Sequence, residues 1–174
     1  MTVRFDEKEI GMNKRRSLGW MKFPGIFVLL LIVSTYAFSQ VPPDKAALLN
    51  GDGMGQGEYA EQTGYPGPKH VLDLSDKLKL TDSQKQSVQK LYDEMNTRAK
   101  ELGKQIVRVE QELRDAIAGG LVSEKSIQTD CDDIGRLRGK LRAVHLAAHL
   151  KTKSVLTDAQ LALYKNLRAA SDKK

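Results

Sequence analysis

Three histidines, His70, His145 and His149, are the residues of this sequence best placed to do chemistry. His145 and His149 are four apart, so on a helix their imidazoles stand one turn above the other and can converge on one ion. Stepping about 100° per residue from Leu141, they fall about 40° and 80° round the helix, beside its apolar seam rather than opposite it. An earlier helix offers Glu110, one residue off its own seam at Val109. If a short helix carrying His70 folds over the long ones, His70, Glu110, His145 and His149 make a set of three imidazoles and a carboxylate. Such a set suits zinc, nickel, cobalt or copper. Register argues against Glu110 within one chain. Folding back about Gly119-Gly120 sets 145–149 opposite about 93–97, which makes Glu94 the nearer carboxylate and leaves Glu110 about 24 Å further along. Only a strong offset, a bend or a second subunit brings Glu110 in. The competing reading takes His145 as a helix-flank residue bonded to a neighbour and His149 as solvated.

Little else points to a reaction. No nucleophile–histidine–acid spacing, phosphate loop or plausible acid pair is present, so a non-enzymatic protein is expected. Asp130, Asp132 and Asp133 lack the glycine and final acid of a calcium loop. Cys131 is the only cysteine, which excludes an internal disulfide. Its place near a seam predicts core packing, with a disulfide across a dimer as the alternative. Arg136, Arg138, Lys140 and Arg142 form a basic stretch that reads either as a surface for unfolded or acidic clients or as an ordinary solvated face.

The elements that must carry these residues are helices. Leu80-Thr81-Asp82-Ser83-Gln84 is a capping box, and Val88, Tyr92, Met95, Ala99, Leu102, Ile106, Val109, Leu113 and Ala116 follow at alternating steps of four and three. That is a heptad, coiled-coil-like seam, with Gly103 its one weak residue and Gly119-Gly120 its end. Ser123 can cap a second long helix over about 124–155, with a seam at Ile127, Cys131, Ile134, Leu137, Leu141, Val144 and Ala148. Leu156-Thr157-Asp158-Ala159-Gln160 repeats the capping box and opens a last helix to about residue 170, before a frayed tail over 171–174. A short helix over about 69–78, with Pro68 at its first position, precedes them. The expected fold is therefore all-α: a long antiparallel helical hairpin with a short helix before and after it, a four-helix hooked hairpin over 68–170. Residues 40–67, rich in Gly and Pro, read as a flexible linker with one helical turn near 44–49.

Residues 1–39 read as an export segment. Lys14, Arg15, Arg16 and Lys22 precede the apolar run Ile26–Val33 and the triplet Ala37-Phe38-Ser39, the layout of a signal peptide cleaved before Gln40. An uncleaved inner-membrane anchor facing the periplasm is the alternative, although the run from 23 to 38 is short of the roughly 20 residues of a spanning helix. Translation begins at Met1 or at Met12. Of 28 Lys/Arg and 22 Asp/Glu, six and three precede residue 40, so the remainder carries 22 and 19, a net +3. That modest charge, with no recognition motif, excludes nucleic acid as the expected partner.

The paired L-T-x-x-Q motifs, Leu80-Thr81…Gln84 and Leu156-Thr157…Gln160, flank the two long helices behind an export segment. In this the chain resembles the Spy/CpxP family of periplasmic helical proteins. Gly64–Leu72, Leu102–Glu110 and Leu141–Leu150 are similar to its heavy-metal sensor branch, the CnrX-like and ZraP-like proteins. The resemblance covers about residues 64–168. It implies a homodimeric hooked hairpin active in envelope stress, as an ATP-independent chaperone or stress modulator whose partners are unfolded envelope clients or a membrane-bound signalling protein. The alternative it implies is a metal sensor or metal-binding resistance protein. The sensor branch takes ligands from places comparable to His70, Glu110, His145 and His149. Where many of its members have a further histidine, this chain has Leu74, one ligand fewer.

Overall fold

The structure, a computed structural model, describes residues 42–171; the segment expected to serve as signal peptide or anchor, its start site and residues 172–174 lie outside them. All regular structure among the described residues is helical: α1 (Lys45–Asn50), α2 (Glu58–Gln62), α3 (Pro68–Asp73), α4 (Asp82–Ala118), α5 (Glu124–Val155) and α6 (Asp158–Ser171). None of these helices is long and apolar enough to cross a membrane.

The helix starts follow from their caps. Thr81 Oγ1 accepts the Gln84 amide at 3.2 Å while Gln84 Oε1 accepts the Thr81 amide at 3.1 Å. Thr157 and Gln160 repeat the exchange at 3.3 and 3.0 Å, and Ser123 caps α5 with Ser126. Each reciprocal pair satisfies two amides that a helix start leaves bare.

The two long helices pack against each other. Gln84, near the start of α4, donates to the Val155 carbonyl at the end of α5 (2.9 Å), and Glu110 accepts from Arg138 (3.1 Å). Their contact holds one core cluster, in which Ala99, Leu102, Ile106 and Val109 meet Leu137 and Leu141. A second cluster joins Val71, Leu78, Leu80, Val88, Leu156 and Tyr164. The leucines of both L-T-x-x-Q motifs are thus buried in one place.

Four expectations need correction. Residues 42–67 form no tether: α1 and α2 fold against α4 and α5, and Leu48 of α1, 1% exposed, completes the first cluster. The glycines that suggested entropy instead serve geometry. Gly51 caps α1 at φ 73°, and Gly103 seats it, because the Leu48 carbonyl lies where a Cβ on Gly103 would go. Gly103 is therefore a docking point rather than a weak spot. The short helix before α4 ends at Asp73 rather than 78, and the chain turns through Lys79 at φ 51°. Finally, Ile127 and Cys131 are exposed rather than packed. Near the α4–α5 turn only two of the described helices meet, and two helices cannot cover a full seam.

Candidate metal site

His145 and His149 lie on successive turns of α5, 3% and 7% exposed. His145 Nδ1 is 3.0 Å from the Leu141 carbonyl oxygen. A carbonyl only accepts, so this nitrogen carries the proton and Nε2 keeps its lone pair. That Nε2 is buried with no hydrogen-bond partner, and among the described residues it is the only side-chain nitrogen or oxygen in that condition. Burial holds the His145 pKa below its ordinary value; the Leu141 carbonyl opposes this and His149 adds to it.

His149 is arranged alike. Its Nδ1 donates to the Tyr65 carbonyl at 2.8 Å, and its Nε2 abuts Gly57, where any side chain would collide. His70 completes the group: His70, His145 and His149 all wall two cavities of about 190 and 380 Å³. The strap between α1 and α2 crosses this region, with Gly53 against His145.

The carboxylate beside the histidines is Glu61. Its Oε1 accepts from the Gly67 amide and lies 2.8 Å from His70 Nδ1; its Oε2 accepts the Tyr164 hydroxyl at 2.8 Å, with Arg168 Nε at 3.6 Å. Burial alone would raise the Glu61 pKa, but the bonds from His70, Tyr164 and the Gly67 amide outweigh it and hold the group at about 2. Burial and the bond to Glu61 push the Tyr164 hydroxyl upward, so it stays a donor.

Glu110 does not join the histidines. It pairs with Arg138, whose guanidinium also holds Asp44 at 2.8 and 3.2 Å, an ion group that ties the start of α1 to both long helices. Arg138 thereby leaves the proposed client-binding stretch; Arg136, Lys140 and Arg142 remain exposed. Glu94 is also elsewhere, exposed and 4.0 Å from Lys90. The wall that α4 presents to the histidines is Tyr92, Met95 and Asn96, as counting from the turn predicts. Leu74 is half-buried beside the second cluster.

Sequence reasoning missed Glu61 and Tyr164. The run Glu58-Tyr59-Ala60-Glu61-Gln62, made mostly of good helix formers between glycines, was the available signal. As they stand, no three His, Cys, Asp or Glu side chains among the described residues are gathered to hold one ion. Compared with protein-family models, curated proteins and solved structures, the chain matches none.

Proposed function

We propose that this chain is a non-catalytic, metal-responsive binding protein of the cell envelope. It takes a transition metal (zinc, nickel, cobalt or copper) through His145 and His149, with His70 and Glu61 beside them in place of the set that included Glu110. The observation that carries this reading is the buried, unpartnered His145 Nε2. Leaving such an atom unpaired costs about 1–3 kcal/mol, and a ligand that accepts its lone pair removes that cost. The Nδ1–H bonds to the Leu141 and Tyr65 carbonyls fix both tautomers and ring orientations, as outer-shell bonds do around metal-bound histidines. Burial favours the neutral imidazole at His145, the form a metal requires. Residues 1–39 deliver the domain to the periplasm, cleaved or retained as an anchor. The packing of α4 on α5, with α3 and α6 joined at one end, supports the hooked-hairpin, Spy/CpxP-like reading; a homodimer is part of the same proposal.

A second reading, an ATP-independent chaperone, is favoured by exposed Ile117, Leu121 and Ile127 around the α4–α5 turn, with Arg136, Lys140 and Arg142 along α5. Calorimetric titration of the full chain with zinc, nickel, cobalt and copper tests the first reading. Binding lost in His145→Gln supports it. Absence of binding by all four ions, together with suppression of client aggregation, would replace it with the second.

A further inference from the structure

Two methionines line the cavities that the three imidazoles wall. Met54, in the strap between α1 and α2, walls the 380 Å³ cavity, and Met95 of α4 walls the 190 Å³ cavity. Both are half-buried. Met54 adopts φ 46°, in the left-handed region that is strained for a residue with a Cβ. Glycine takes that conformation without strain, as the neighbouring Gly55 does at φ 73°, yet a methionine stands at this position. Packing against the first core cluster holds it there.

The histidine pair supplies two nitrogens, and among the described residues no third His, Cys, Asp or Glu side chain is gathered with them to hold one ion. Zinc sites close with about four nitrogen, oxygen or thiolate donors, whereas cuprous ion accepts a low coordination number and is selected by thioethers. We propose that this site selects Cu(I), with Nε2 of His145 and His149 as nitrogen donors and the sulfurs of Met54 and Met95 as thioether donors. Because the Gly57 backbone abuts His149 Nε2, that nitrogen reaches an ion only when the strap shifts, and Met54 rides on the same strap. The inference rests on the metal-binding reading and names its metal.

The test is anaerobic competition of the full chain against a chromophoric Cu(I) chelator, beside a Zn(II) titration against a zinc-binding dye. It is run for wild type, Met54→Leu, Met95→Leu and His145→Gln. Leucine nearly matches methionine in volume, and circular dichroism checks each fold. Each methionine variant should weaken Cu(I) binding about tenfold or more, equivalent to about 1.4 kcal/mol, and leave Zn(II) unchanged, while His145→Gln weakens both. Unaltered Cu(I) affinity in both methionine variants, or Zn(II) bound as tightly as Cu(I), overturns the copper assignment and leaves the metal site standing. Neither ion bound by wild type, with nickel and cobalt also silent, overturns both. Copper-edge X-ray absorption of the wild type needs no variant: sulfur scatterers support the assignment, and a shell of nitrogen and oxygen alone refutes it.

Discussion

Glu61 accepts the Tyr164 hydroxyl at 2.8 Å across 103 residues of sequence, so a carboxylate of α2 ties α6 to the histidine group. The same carboxylate takes the Gly67 amide and His70. Its pKa, at about 2 against an ordinary 4.5, converts this geometry into an acid dependence. A depressed carboxylate contributes stability that is present above pH 4.5 and lost as pH falls through about 2, worth at most about 3 kcal/mol here. Glu61→Gln should therefore be less stable than wild type at pH 7, with the gap closing between pH 5 and 2. Urea unfolding across that range measures it; a gap independent of pH would contradict the assignment.

The amides of Gln84 and Gln160 bond each other, at 2.8 and 3.0 Å, while each caps its own helix. Each also donates to a backbone carbonyl of the neighbouring segment, Val155 and Leu78. Gln84→Glu and Gln160→Glu keep the cap acceptor and delete the donor, so each should cost about 1–3 kcal/mol. The double variant should depart from additivity by at least about 0.5 kcal/mol. Additive thermal shifts would mean that the two motifs act only as separate caps.

Much of this was legible in the sequence because caps and seams are local signals. The L-T-x-x-Q boxes set the starts of α4 and α6, and alternating four-and-three spacing picked the buried face of α4. The same spacing failed at Ile127 and Cys131, since periodicity says which face is apolar and not whether anything covers it. The described part of the expected linker, 42–67, was misread for a related reason. Composition registers the entropy of its glycines but not that Leu48 would rest on Gly103 or that Gly57 would abut His149. Register counting found the α4 wall facing the histidines, and the carboxylate was missed because it comes from a short aperiodic segment.

Gly103 separates docking from propensity. In an exposed helix interior, Gly→Ala should stabilise by about 0.5–1 kcal/mol. Gly139 of α5, with open space around it, should behave so. Gly103→Ala instead drives a methyl into the Leu48 carbonyl and should destabilise by about 1–3 kcal/mol, with faster proteolysis of the 42–67 segment. Equal stabilisation at both positions in thermal unfolding would show that α1 is not seated on Gly103.

The last prediction concerns what His145 costs the fold. Its Nε2 is buried without a partner, and its pKa is depressed first by burial. A histidine that resists protonation when folded but accepts a proton near pH 6.5 when unfolded makes the fold less stable as pH drops below 6.5, until the folded pKa is passed. His145→Leu removes both the unpaired nitrogen and that proton linkage, and it keeps apolar volume beside Leu141. It forfeits the Nδ1 bond to the Leu141 carbonyl, but that carbonyl belongs to the helix ladder and keeps its backbone partner. Without metal, His145→Leu should therefore be at least as stable as wild type at pH 7 and gain on it by pH 5.5. With metal the order should reverse, because only the wild type is stabilised by an ion that binds its folded form. Thermal scans at the two pH values, with and without Cu(I) under anaerobic conditions, read all four states. A variant less stable than wild type by more than about 2 kcal/mol without metal would mark His145 as a structural residue whose nitrogen is satisfied by other means. A site kept at a cost in stability and repaid only by its ligand is the signature of binding rather than packing.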